Sequence, residues 1–382
     1  MIMKDIGQHN KQVARLWNDY RLGRNERVPV VLAFDEQFIL PRWDCSFARY
    51  YSDVQSQIEI QLQSQDWIIR NIVHDKLMEP PVTWQVCPPN WMAENEFLGA
   101  EVVTQENDYS WSHPLDLPKP KLLAMLRGID VTERIQESTL YRQYTQMKEI
   151  TRGMEFQGRP VEVGVPVIAT HGVFTKTAEI RGLEQICLDF MDDPPFAREL
   201  LECVTDILTA RIVAWHRLLG TGREFPNSGG WGMADDSIAM ISREHYESFV
   251  LPCHRKFYQQ MTTGARSIHL CGRAQHLFQT LHANLGINTF NGPGPKVVDL
   301  MRMIQDIGEP VVIETEVGHA TLLGSREKIE QEVSAILRAE IKERATITLT
   351  GYVPVATPLS SIEFFYDCGV KYGQLDQPPN KV

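Results

Sequence analysis

Arg266-Ser267-Ile268-His269-Leu270-Cys271-Gly272 is a short run that ends in His-x-Cys-Gly, just ahead of a helical pattern. Its first four residues read as a strand, and Gln275–Leu285 as the helix that follows. Downstream the alternation repeats. Ile287–Phe290 is strand-like, Val297–Ile307 helical, Pro310–Thr315 strand-like, 325–341 helical with Ile329, Val333, Ile336, Leu337 and Ile341 on one stripe, and Ala345–Leu349 strand-like. Strands alternating with amphipathic helices mean βα units and a parallel sheet.

Working upstream extends the pattern. Residues 8–22 are helical, and Val28-Pro29-Val30-Val31-Leu32-Ala33-Phe34 is apolar enough for a strand buried on both faces. A helix covers about 53–74, and Trp84–Cys87 is a second strand candidate. Residues 90–150 read as mixed, with Pro114, Pro118 and Pro120 breaking them into loops. Val161–Thr170 is a strand candidate, followed by helices at about 178–190 and 194–219. Phe225–Trp231 is a Gly-rich segment, Ser242 caps a helix to about 262, and Thr357-Pro358 supplies an N-cap and a first-turn proline. About eight βα units favour a closed (β/α)8 barrel. A doubly wound sheet would want a phosphate-binding GxGxxG turn, and none is present. The expectation is an α/β chain, 1–382 as one TIM-barrel domain with an N-terminal helical extension over about 1–25.

The charge of −11 argues against a nucleic acid or an anionic membrane surface as partner. Seven dispersed cysteines with no CxxC read as reduced thiols of a cytoplasmic protein. Met1–Ile6 has no apolar core for a signal peptide, and no run approaches the ~18 apolar residues of a membrane helix.

In such a barrel the active site gathers at the C-terminal strand ends, which turns the strand assignments into a residue list. His269 and Cys271 stand two apart at a strand end, on one side of the chain, and offer imidazole and thiolate to Zn²⁺. A buried cysteine acting as a small hydrophobe is the alternative. Glu314, Glu316 and His319 end a later strand, and either Glu316 or His319 is expected to complete the metal site. Asp235 and Asp236 follow Gly229-Gly230-Trp231-Gly232; they suit cation or proton handling, or else cap the next helix. Asp35 and Glu36 end the first strand, as a catalytic acid and a substrate contact. Asn90, His113, His171, Trp231 and Asn291 are further expected substrate contacts, each with a structural role as its alternative.

Several of these motifs occur in a familiar order. Asp235-Asp236-Ser237 leads through Ile241-Ser242 and Tyr246 to Val250-Leu251-Pro252; His269-Leu270-Cys271-Gly272 follows; Ala356-Thr357-Pro358-Leu359 opens a closing helix ending near Tyr372-Gly373. This series resembles the uroporphyrinogen decarboxylase superfamily over roughly 160–375. The resemblance implies a (β/α)8 barrel and, for the oligomer, a homodimer. The true decarboxylase carries an R-x-x-G-R segment after its first strand to grip substrate carboxylates. Phe34-Asp35-Glu36-Gln37-Phe38-Ile39 stands there instead, so an octacarboxylate would meet repulsion. The zinc-dependent corrinoid methyltransferases carry H-x-C and a distant Cys; His269 and Cys271 match the first two, while Thr350-Gly351-Tyr352-Val353 holds no third. That branch implies zinc, a corrinoid presented by a partner protein, and a thiol or pterin acceptor. The competing expectations are a carboxy-lyase acting on a porphyrinogen-like or smaller cyclic acid and a binding barrel without chemistry.

Overall fold

The computed structural model describes residues 6–166, 169–318 and 320–376. Eight parallel strands carry the fold: β1 (Val30–Phe34), β2 (Trp84–Val86), β3 (Arg159–Val163), β4 (Trp231–Ala234), β5 (Arg266–His269), β6 (Ile287–Asn291), β7 (Val312–Glu316) and β8 (Thr346–Val353). Six form one sheet in the order β1-β8-β7-β6-β5-β4, while β2 pairs in parallel with β3. The first strand pairs with the last, Val30 opposite Leu349 through Phe34 opposite Val353. In a parallel sheet built in sequence order, that pairing is how the ring closes. On the far side of β4, the amide of Ala234 donates to Thr170 O at 3.1 Å and ties the chain after β3 to the sheet.

The sequence explains the closure. Val30, Leu32, Ile268, Ile287, Phe290, Ile313 and Leu349 are buried almost completely, as strands covered on both faces require. The main core joins these strands to the long helix Pro194–Leu218 and the closing helix Leu359–Tyr372. A smaller core forms where helix Val54–Asn71 and helix Thr139–Ile150 cover β2 and β3. The N-terminal helix Ile6–Arg21 joins the barrel through Tyr20, whose hydroxyl accepts from Thr348 Oγ1 at 3.0 Å.

Several sequence expectations need correction. β4 begins at Trp231, the last residue of the segment Phe225–Trp231 read as Gly-rich, and ends just before Asp235 and Asp236. Its Gly232 is required because a Cβ there would lie 2.2 Å from Ser267 Oγ on β5. The helix expected at 178–190 is two helices, Val173–Arg181 and Leu183–Asp192, parted by Gly182 at φ 91. Residues 90–150 hold four short helices, and Pro120 sits inside the first turn of Lys119–Arg127, where its missing N–H costs nothing. Pro358, not Thr357, is the N-cap of the closing helix; the Thr357 hydroxyl donates back to Pro354 O.

Candidate metal and substrate centre at the barrel mouth

Register builds the site. Ala234 lies opposite His269, His269 opposite Asn291, and Asn291 opposite Glu314. This lateral row is hydrogen-bonded through its side chains. Asn291 Nδ2 donates to Glu314 Oε2 at 2.6 Å, which fixes the amide so that its oxygen faces His269 Nδ1 in a close hydrogen bond. An amide oxygen only accepts, so His269 carries its proton on Nδ1 and keeps the Nε2 lone pair for another partner. Gly292, at φ 91, leaves room for that ring; a Cβ there would come within 2.8 Å of His269 Cε1.

The free Nε2 looks toward Asp236. His269 Nε2 and Asp236 Oδ2 are 3.8 Å apart. The other carboxylate oxygen accepts from the Cys271 amide at 2.8 Å and from its thiol at 3.3 Å. Ligand atoms of Asp236, His269 and Cys271 all lie within 4.8 Å of one another. Burial pushes the Cys271 thiol up to about 12, and the Asp236 charge adds to the effect. Glu316, at the end of β7, is raised to about 7, mainly by burial, with His269 opposing and Asp236 reinforcing. Carboxylate, thiolate and imidazole crowded together repel or stay protonated until a cation joins them. The donor set therefore fits zinc: nitrogen, sulfur and oxygen ligands, with the imidazole oriented by a hydrogen-bonded neighbour.

Asp235 has a different task from its neighbour. It is fully buried and its four acceptor positions are all filled. Oδ1 takes the Thr175 amide at 2.8 Å and the Thr175 hydroxyl at 2.7 Å; Oδ2 takes the Phe174 amide at 3.0 Å and pairs with His254 Nε2 at 2.8 Å. It anchors the start of helix Val173–Arg181, which follows β3, rather than the helix after itself. Gly172 leads that helix without a capping side chain, and a Cβ there would lie 2.3 Å from Asp235 Cγ. The expected catalytic role for Asp235 gives way to this anchoring one.

The other expected residues are distributed around the mouth and beyond it. Asp35 caps the short helix Glu36–Ile39 by accepting from Phe38 N at 3.2 Å. Glu36 and Asn90 line one cavity with Tyr51 and Cys87. His171 follows β3, and its amide and Nδ1 both meet Glu94 Oε2, at 2.9 and 3.0 Å. Asn291 supports His269 rather than facing a substrate. His113 packs edge-on against Trp111, ring centres 4.2 Å apart, on an exposed two-stranded ribbon. Trp231 opens β4 at the end opposite Asp235 and Asp236, against Phe225 and His216, which removes it from the mouth. His319 lies outside the described residues.

Sequence reasoning missed Glu94, Arg211 and Lys176, a buried charged group behind His171. Burial acts to raise the Glu94 carboxyl, but the His171 hydrogen bond and the Arg211 and Lys176 charges outweigh it and hold it at about 2. Helix positions 94 and 211 carry no sequence mark of this pairing. Tyr352 was also missed; on β8 it senses the charges of Glu316, Cys271, Asp35 and Asp236 alike.

The family model for uroporphyrinogen decarboxylase (URO-D) matches residues 94–372, most of the chain. The chain belongs to the uroporphyrinogen decarboxylase family. A search of curated protein sequences finds no match. Among solved structures, this URO-D barrel is similar to a methyltransferase from Methanosarcina mazei, with a TM-score of 0.60 at 14% identity, over 94% of this chain and 98% of that one. A B12-independent methionine synthase from Shewanella sp. W3-18-1, in complex with selenomethionine, overlaps 84% of this chain and 87% of that one at 11% identity and a TM-score of 0.38. At these identities the likeness of the URO-D barrel to solved structures concerns the fold. No helix among the described residues is long and apolar enough to cross a membrane.

Proposed function

We propose that the protein is a zinc-dependent methyltransferase that moves a methyl group between a corrinoid, presented by a partner protein, and a thiol or pterin acceptor. The observation that carries this proposal is the convergence of Asp236, His269 and Cys271 within 4.8 Å at the barrel mouth. His269 and Cys271 would hold the metal, with Asp236 taking the place expected for Glu316 or His319. Zinc bound there supplies a Lewis acid that lowers the pKa of an acceptor sulfur. The chain's own residues do the rest. Asn291 holds the His269 tautomer, and Asp236 braces the Cys271 amide. Glu316, whose carboxyl is raised by burial to about 7, would take the proton that an acceptor thiol gives up.

Elemental analysis tests this directly. Protein purified without chelator should hold about one zinc per chain, and His269→Ala and Cys271→Ala should each lose it. Full retention of zinc in Cys271→Ala removes the site from consideration. The competing reading is decarboxylation of a smaller cyclic acid, favoured by one observation: Asp35 and Glu36 form an acid pair at the end of β1, suited to a protonated ring intermediate. A porphyrinogen octacarboxylate is a poor match to that acid pair.

A further inference from the structure

Across the mouth from the metal-type cluster, the ends of β1 and β2 enclose a second feature. Glu36, Tyr50, Tyr51, Gln61, Cys87 and Trp91 line a cavity of about 240 Å³. Tyr51, Pro89 and Trp91 also border a neighbouring cavity of about 400 Å³. Three of the nine lining residues, Tyr50, Tyr51 and Trp91, are aromatic, and further rings pack behind them. Trp91 leans on Tyr109 with ring centres 4.7 Å apart, Phe47 packs on Tyr109 at 5.1 Å, and Tyr50 on Tyr51 at 5.8 Å.

Glu36 is the acid of this chamber. Its carboxylate accepts from the Tyr109 hydroxyl at 3.2 Å. The charge bearing on it is that of its neighbour Asp35, and neither acid forms an ion pair with a Lys, Arg or His among the described residues. Tyr51, one of the lining residues, has a buried hydroxyl oxygen without a hydrogen-bond partner. A partly buried carboxylate in a cavity it shares with three aromatic side chains, with no ion-pair partner of the protein's own, is incomplete in charge. Negative ring faces and a carboxylate attract the same kind of guest, a soft organic cation with little hydration to lose.

We propose that the Glu36 chamber binds a small organic ammonium ion, of the quaternary or N-methylated class, between Glu36 and the rings of Tyr51 and Trp91. The proposal goes beyond the methyltransferase reading, whose donor and acceptor are a corrinoid and a thiol or pterin: it adds an organic-cation ligand at the same mouth and assigns that cation no part in the transfer. The chamber follows the C-terminal ends of β1 and β2, and the cluster those of β4 and β5, so both lie at the same end of the barrel.

Choline and its neutral isostere 3,3-dimethyl-1-butanol separate charge recognition from simple burial. Isothermal titration calorimetry on the full chain should give saturable choline binding. The isostere should bind roughly tenfold more weakly or worse, as should choline to Glu36→Gln and to Trp91→Ala. Equal binding of the isostere would reduce the chamber to an apolar slot and overturn the proposal, as would no saturable choline binding. Should Glu36→Gln fail to fold by circular dichroism, the comparison of the two ligands on the unaltered protein decides alone. The titration is repeated after chelator treatment. Retained binding supports the chamber whether or not zinc is present, so failure of the metal site leaves this test standing. Binding abolished by chelation would assign choline to the metal cluster and overturn the proposal.

Discussion

Asp235 and Asp236 are adjacent in sequence, and truncating each should have opposite consequences. Asp235→Ala removes the acceptor for two backbone amides, a threonine hydroxyl and His254; the Phe174 amide and His254 are buried, and Thr175 is partly so. Each buried donor left without its partner costs about 1–3 kcal/mol, and four donors lose theirs here. Partial relaxation and entry of water lower the sum, so a loss of about 3–5 kcal/mol is expected. Against a total stability of about 5–15 kcal/mol that is a large share. Asp236 is 41% exposed, and its bonds reach one amide and one thiol, both of Cys271. Its truncation should cost about 1 kcal/mol of stability, yet it removes one of three metal donors. Urea unfolding followed by circular dichroism measures the first effect, and zinc titration against a chromophoric chelator the second. Asp235→Ala unfolding within about 1 kcal/mol of the parent would refute the anchoring role. Equal destabilisation by both substitutions would refute the division of labour between them.

Two further outcomes follow from the hydrogen-bonded row and the buried acid. Asn291→Ala frees the His269 ring without touching a ligand, so zinc affinity should fall about 10–100-fold, the cost usual for losing such a support; unchanged affinity in the same chelator competition would sink the tautomer argument. Glu94 has a folded pKa of about 2, below its ordinary value of 4.5, so its stabilising contribution is full above that ordinary value and drains away as pH falls toward 2. Thermal midpoints from pH 7 down to 3 should therefore fall more steeply for the parent than for Glu94→Gln, which starts lower because Arg211 and Lys176 lose a counter-charge; parallel profiles would count against it.

The second half of the barrel was legible because its strands are short, apolar and spaced by helices with clear stripes. β5 to β8 fell close to where alternation put them. β4 was hidden because Trp231-Gly232-Met233-Ala234 trades side-chain bulk for close approach to β5, and glycine reads as a turn. His269 and Cys271 were visible from spacing alone. The membership of Asp236 was not, since it depends on how near the loop after β4 comes to the one after β5. Asn291 was read as a substrate contact because a strand-end amide looks the same in sequence whether it faces a ligand or a neighbouring imidazole. Only the pairing of Asn291 with His269 across β5 and β6 decides between the two.

In the proposed zinc site Asp236 takes the place of a third cysteine, and that substitution would carry a chemical consequence. Zinc-dependent relatives that the chain resembles place a cysteine just ahead of the final Thr-Pro, in the stretch where Thr350-Gly351-Tyr352-Val353 stands here. A carboxylate from β4 and a thiolate from β5 keep the same formal charge as two thiolates. An oxygen donor, however, is harder than sulfur and gives up less electron density, so the open position of such a site is the more electrophilic. The vacated end of β8 is occupied by a phenol within reach of the charges on both sides of the mouth. Moving the third donor from β8 to β4 thus draws the metal-type groups to one side of the opening. It leaves the β8–β1–β2 side, with Tyr352, Asp35, Glu36 and the aromatic chamber, to substrate. A bulky substitution at Tyr352 should then alter substrate affinity while leaving zinc content intact, whereas Tyr352→Cys restores a thiolate at the family position without evicting Asp236. If zinc affinity in Tyr352→Cys rises while Asp236→Ala becomes tolerated in that background, the relocation of the donor is the correct account; if Tyr352→Cys leaves the need for Asp236 unchanged, β8 no longer approaches the cluster closely enough to serve it.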